Sequence, residues 1–126
     1  AQDAKSLAMT DLAGDGRPDL VIGVNDGPVL VFENLGSATP ISVRLAGSKG
    51  NRSGIGARVT LEFGNGAQRV GEITAGGGYL SQSPPTLYFS PPQGTRAERI
   101  SVRWPDGKTT SAAIGQQSRE VLVKYE

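Results

Sequence analysis

Ala97-Glu98-Arg99-Ile100-Ser101-Val102-Arg103-Trp104-Pro105-Asp106-Gly107-Lys108-Thr109 carries the clearest strand and turn pattern in the chain. Ile100, Val102 and Trp104 alternate with Ser101 and Arg103, so one face is apolar and the other polar. That period of two marks a strand with one buried face. Trp104-Pro105-Asp106-Gly107 then predicts a reversal. Proline pre-sets φ at the second turn position, and glycine accepts the positive φ that often follows a type I turn. The chain returns through Lys108 to Ala113. Trp104 is the only tryptophan. Sharing a face with Ile100 and Val102, it reads as a core anchor, with a sugar-stacking platform as the functional alternative.

Outward from this hairpin the alternation persists. Ile41, Val43 and Leu45 share a face, as do Val59, Leu61 and Phe63, and Val121, Val123 and Tyr125 close the chain. Leu87 and Phe89 add a short strand. Asn65-Gly66 is a hairpin signal. A two-residue turn there pairs Glu62 with Arg69 and Leu61 with Val70, and predicts a bulge near Gly71 that returns Ile73 to the dry face. Ala75 to Pro85 is too rich in glycine and proline for regular structure. About six strands at these spacings predict an all-β domain, an antiparallel β-sandwich. Gly 18 and Pro 8 in 126 residues suit short strands and tight turns.

Composition narrows the function. The net charge is +1, with acidic and basic residues interspersed, which offers no footprint for nucleic acid. No apolar run reaches the length of a membrane helix. The chain opens without a signal peptide and reads as a piece of a longer protein. There is no cysteine, hence no disulfide and no thiolate chemistry. There is no histidine, which removes the commonest general base and metal ligand. Glu62 and Glu72 lie on paired strands, but they read as solvent-facing rather than as a catalytic pair. The chain reads as a non-enzyme.

The first third predicts three short strands, the second and third forming a hairpin. Between the first two lies Asp11-Leu12-Ala13-Gly14-Asp15-Gly16-Arg17-Pro18-Asp19. Calcium needs six to eight oxygens, and short acidic loops supply them from alternate residues around a glycine bend. Asp11, Asp15, the carbonyl of Arg17 and Asp19 form one candidate ligand set. In the other reading the aspartates hydrogen-bond their own backbone as a plain turn. The pattern resembles the D-x-[DN]-x-D-G-x-x-D loop of FG-GAP or VCBS repeats, the blade units of integrin-like β-propellers. The third position departs from it: Ala13 stands where that family carries an acid or amide, which predicts a weakened calcium site. The resemblance ends near Gly36, so the expected organisation is 1–36 as a partial, propeller-blade-like repeat and 37–126 as the sandwich.

Gly50-Asn51-Arg52-Ser53-Gly54-Ile55-Gly56-Ala57-Arg58-Val59, Ala75-Gly76-Gly77-Gly78-Tyr79-Leu80-Ser81-Gln82 and Val102-Arg103-Trp104-Pro105-Asp106-Gly107 form three ordered blocks. They resemble the N-R-D-G-I-G-A-R-V, A-G-x-G-Y-L-S-Q and V-R-W-P-D-G blocks of the ASPIC/UnbV domain. Ser53 replaces the family's common aspartate, and Tyr88 its common histidine. The resemblance implies a place after FG-GAP repeats in secreted, periplasmic or cell-surface proteins, and it carries no catalytic residues. Recognition is expected at the loops, with Arg52, Tyr79 and Gln82 as candidate ligand-binding residues. In the alternative Tyr79 packs under its own loop. Partners are then a protein or glycan ligand, or upstream repeats that the module caps. Asn51-Arg52-Ser53 also fits an N-glycosylation sequon.

Overall fold

A computed structural model describes residues 3–126, and they are all-β. Ten strands follow in order: β1 (Ala4–Thr10), β2 (Asp19–Val24), β3 (Leu30–Phe32), β4 (Ile41–Ala46), β5 (Arg58–Phe63), β6 (Gln68–Glu72), β7 (Thr86–Phe89), β8 (Ala97–Arg103), β9 (Thr109–Ala113) and β10 (Glu120–Lys124). The chain divides into two compact units. The first is Ala1–Thr39 with Ala75–Pro84, and the second is Pro40–Thr74 with Pro85–Glu126.

The second unit is a sandwich of two sheets, ordered β10-β4-β7 and β6-β5-β8-β9. The alternating residues of β4, β5 and β8 point into one core: Ile41, Val43, Leu45, Val59, Leu61, Phe63, Ile100, Val102 and Trp104 are all buried. Burying an aliphatic side chain contributes about 1.5–3 kcal/mol, so this layer is the main source of stability. One pair departs from the antiparallel expectation. β10 runs parallel to β4, from Glu120 opposite Ser42 to Lys124 opposite Ala46. Alternation identifies a strand's dry face but says nothing of its partner or direction.

The β5–β6 hairpin corrects the expected register. Glu62 faces Gln68, Leu61 faces Arg69 and Val59 faces Gly71, with no bulge. The cause is the turn. Gly66 adopts φ +81, and Phe63 donates its N–H to the Ala67 carbonyl. The connection is therefore three residues long, the type I turn closed by a left-handed glycine. That extra residue shifts every pairing by one. It also turns Gly71 inward, where a Cβ would sit 3.0 Å from Leu87 and 3.1 Å from Phe89. The core occupies the space a side chain would need, and Ile73 still reaches the interior, 1% exposed.

The first unit is a three-stranded antiparallel sheet, β1-β2-β3. Met9 opposes Leu20 and Leu20 opposes Phe32, while Leu7 opposes Ile22 and Ile22 opposes Leu30. Directly opposed residues share a face, so six large apolar side chains form one side of this sheet. Leu7 and Phe32 are each 52% exposed. Asp19 is the only residue of this unit that is buried, among the described residues.

Candidate functional site

The acidic loop between β1 and β2 is built from its own backbone. Asp11 accepts N–H groups from Gly14 (2.7 Å), Asp15 (3.1 Å) and Gly16 (2.8 Å). Gly14 and Gly16 take φ +72 and +83, which lets the chain curl around that carboxylate. Asp19 accepts from Leu12 (2.8 Å) and Ala13 (3.3 Å) on one oxygen and from Asn34 (2.8 Å) on the other. It thus ties the loop to the end of β3. The Asn34 and Leu12 bonds hold its carboxyl below the usual carboxylate range, since a bonded carboxylate resists protonation. Asp15 accepts the Arg17 N–H at 2.9 Å and is ion-paired to the Arg17 guanidinium. The same guanidinium donates through Nε to the Asn34 carbonyl at 2.9 Å.

Against the calcium expectation, Asp11 and Asp19 each satisfy three backbone N–H groups, and Asp15 faces a resident cation. Among the described residues no three acidic side chains are grouped as a metal cage. The donor set as arranged does not fit calcium. Arg17 spans Asp15 and the Asn34 carbonyl, a cross-link of the kind a bound cation would otherwise make.

The three candidate recognition residues are divided between the units. Arg52 is exposed in the second, and Tyr79 and Gln82 are exposed in the first. Tyr79 is 71% exposed, so it does not pack under its loop. Gly78 and Ser81 form an isolated bridge around Tyr79 and Leu80. Leu80 takes φ +49, a region that favours glycine or asparagine, and is 77% exposed. The loop is fixed to β1 by hydroxyls. Ser81 Oγ donates to the Leu7 carbonyl at 2.8 Å, and Ser83 Oγ accepts the Met9 N–H at 2.9 Å. Since β1 ends its sheet, the loop occupies part of an otherwise open edge.

Around Trp104 the other two sequence blocks meet. Trp104 is 3% exposed, which settles it as a core anchor and removes the sugar-platform alternative. A Cβ on Gly54 would come within 3.2 Å of its ring and 2.9 Å of Leu45, and Gly54 takes φ +68. Asn51 braces this turn, donating to the Ile55 carbonyl at 2.8 Å and accepting the Ile55 N–H at 2.9 Å. The sequon amide is therefore engaged within its own loop. Trp104 Nε1 donates to Thr110 Oγ1 at 2.9 Å, and Tyr125 meets the indole edge-on, with ring centroids 5.3 Å apart. Tyr125 in turn donates its hydroxyl to Asp106 at 2.6 Å, and Lys108 Nζ lies 4.7 Å over the Tyr125 ring. The Tyr125 bond, with the Lys108 N–H, lowers the Asp106 pKa. This cluster joins β10 to the Trp104 hairpin, and no sequence spacing announced it.

Glu62 and Glu72 lie on the outer face of the four-stranded sheet, opposite Gln68 and Arg58 respectively. They are four ladder positions apart, with no cleft between them, which is no arrangement for paired carboxylate catalysis.

The family model described as ASPIC and UnbV matches residues 47–126. The chain belongs to that family. No curated protein matches it.

Proposed function

On the premise of ASPIC and UnbV membership, we propose that the chain is a non-catalytic recognition or capping module of the cell exterior. It works at the end of an FG-GAP-type repeat protein that is secreted, periplasmic or held at the surface. The apolar face of β1–β3 carries this reading. Six large side chains lie on one side of a sheet that buries no apolar residue among those described. A sheet that is apolar on one face buries that face against another element, and sheets stack about 10 Å apart when their inner faces interdigitate. A neighbouring repeat of the parent chain is the natural second layer. Hydrogen exchange tests this. In a longer chain carrying the upstream repeats, amides of β1–β3 are expected to exchange at least tenfold more slowly than in residues 1–126 alone. Equal exchange rates would remove the capping role.

The 71% exposure of Tyr79 supports a second reading, a carbohydrate-binding module that uses this loop aromatic with Gln82. Binding on a glycan array that disappears in Tyr79→Ala is the expected result. Calcium assistance requires displacing Arg17 from Asp15 and finding ligands beyond carboxylates that already hold the backbone. Melting with calcium and with chelator decides it, and an unchanged midpoint is the outcome this geometry favours.

A further inference from the structure

The outer face of the β6-β5-β8-β9 sheet can be read row by row from its register. In one row Gln68, Glu62, Arg99 and Ala113 stand side by side. There an acid faces a base, as cross-strand pairing favours. Two rows along stand Glu72, Arg58, Arg103 and Thr109. Here Arg58 and Arg103 are directly opposed on neighbouring strands, an arrangement that costs stability. Both are exposed. Glu72 stands across from Arg58 as Glu62 does from Arg99, but neither pair closes: the ion pairs among the described residues are Lys5–Asp3 and Arg17–Asp15. The row between them carries exposed Val70 and then hydroxyls from Thr60, Ser101 and Ser111.

We propose that this sheet face binds an anionic polysaccharide, with Arg58 and Arg103 sharing its sulfate or carboxylate groups and the hydroxyl row meeting its sugar hydroxyls. Opposed strand residues lie about 4.5–5.5 Å apart at Cα, so both guanidiniums are within reach of one anion, each able to form the paired N–H bonds that planar oxyanions accept. A lone small anion gains little on an open, solvated surface. A polymer repeats its anionic groups, and each bound group raises the local concentration of the next. Nucleic acid fits less well, because the face carries no aromatic side chain for base stacking and the chain's net charge is only +1. This site is separate from the Tyr79 loop and stands whether or not that loop binds sugar.

The test uses immobilised heparin and polygalacturonate, with dextran and poly-glutamate as controls. Wild-type protein is expected to bind at least one of the two anionic polysaccharides and neither control. Arg58→Gln and Arg103→Gln should each weaken binding about tenfold or more, while their melting midpoints stay equal to wild type or rise. Arg44→Gln, on the other sheet, and Tyr79→Ala should leave binding unchanged. Failure of wild type to bind either polysaccharide overturns the proposal. So do equal losses in Arg44→Gln, which would mean attraction by net charge alone, and equal binding of poly-glutamate, which would mean an acidic-peptide surface. A loss confined to Tyr79→Ala supports the loop reading and overturns this one.

Discussion

Of the large apolar side chains left exposed among the described residues, ten of thirteen lie in the first unit. All fourteen residues of the buried core lie in the second. The two units do not differ in having apolar strands. Leu20-Val21-Ile22 is as apolar as Ile41-Ser42-Val43 and more continuous. They differ in layers. The second unit sets one sheet against another, and its alternating side chains are sealed between them. The first has one sheet, and the one buried residue among those described is a carboxylate that gathers backbone N–H groups. One unit is held by area removed from water, the other by hydrogen bonds around Asp19 and Asp11. Hydrophobicity becomes stability only where a second surface receives it.

Substitutions in the layered unit should cost the most. Trp104→Ala removes the indole beneath Gly54 and beside Tyr125, and should cost about 3–5 kcal/mol in denaturant unfolding. A loss below about 1 kcal/mol would mean that the ring adds little to the packed layer. Next comes Gly71→Val, which forces atoms onto Leu87 and Phe89 and should cost about 1–3 kcal/mol by overpacking. Full stability in that variant would disprove the shifted β5–β6 register. Both changes should leave amide protection in β1–β3 as it was.

The reverse experiment is Asp19→Asn, which cannot accept from three N–H groups as a carboxylate does. Protection at Leu12, Ala13 and Asn34 should vanish while β4, β5 and β8 stay protected. If the whole chain loosens together, the contrast between the units fails. Acid should reproduce this selectively. The folded pKa of Asp19 is depressed, so the unfolded state takes up its proton first. Its contribution to stability is complete above the ordinary carboxylate pKa near 4 and fades as pH falls from there through the lower folded value. Amides of the β1–β2 loop should therefore open first below about pH 4. The smallest expected change is from Arg17→Gln, which cuts the link between Asp15 and the Asn34 carbonyl. It should raise exchange locally at Asn34 and Arg17, with little shift in the melting midpoint.

Much of the sandwich was legible because a half-buried strand writes its dry face into every second residue. β4, β5 and β8 are cases where that signal met no competitor, and the Trp104-Pro105-Asp106-Gly107 turn carries its own geometry: Gly107 takes φ +88, as the turn requires. The β5–β6 register is hidden in the sequence because charge pairing across the hairpin favours one alignment, whereas the turn's length decides register, and the positive φ of Gly66 sets that length. The direction of β10 was invisible, since alternation is the same for parallel and antiparallel neighbours. The place of Ala75–Pro84 in the first unit rests on the hydroxyls of Ser81 and Ser83 meeting residues 74 positions away. No local pattern marks such a contact. The spacing of Asp11, Asp15 and Asp19 fitted both a cation cage and a backbone turn, and only the positions of the N–H groups and of Arg17 separate them.

The parallel seat of β10 beside β4 has a bearing on synthesis. A ribosome delivers β4 long before residues 120–124, and β7 can zip only one of its sides. Until the late segment arrives, the other flank of β4 stays an open ribbon edge ready to template foreign strands. A premature stop ahead of Glu120 should therefore yield inclusion bodies rather than a soluble, slightly weakened protein.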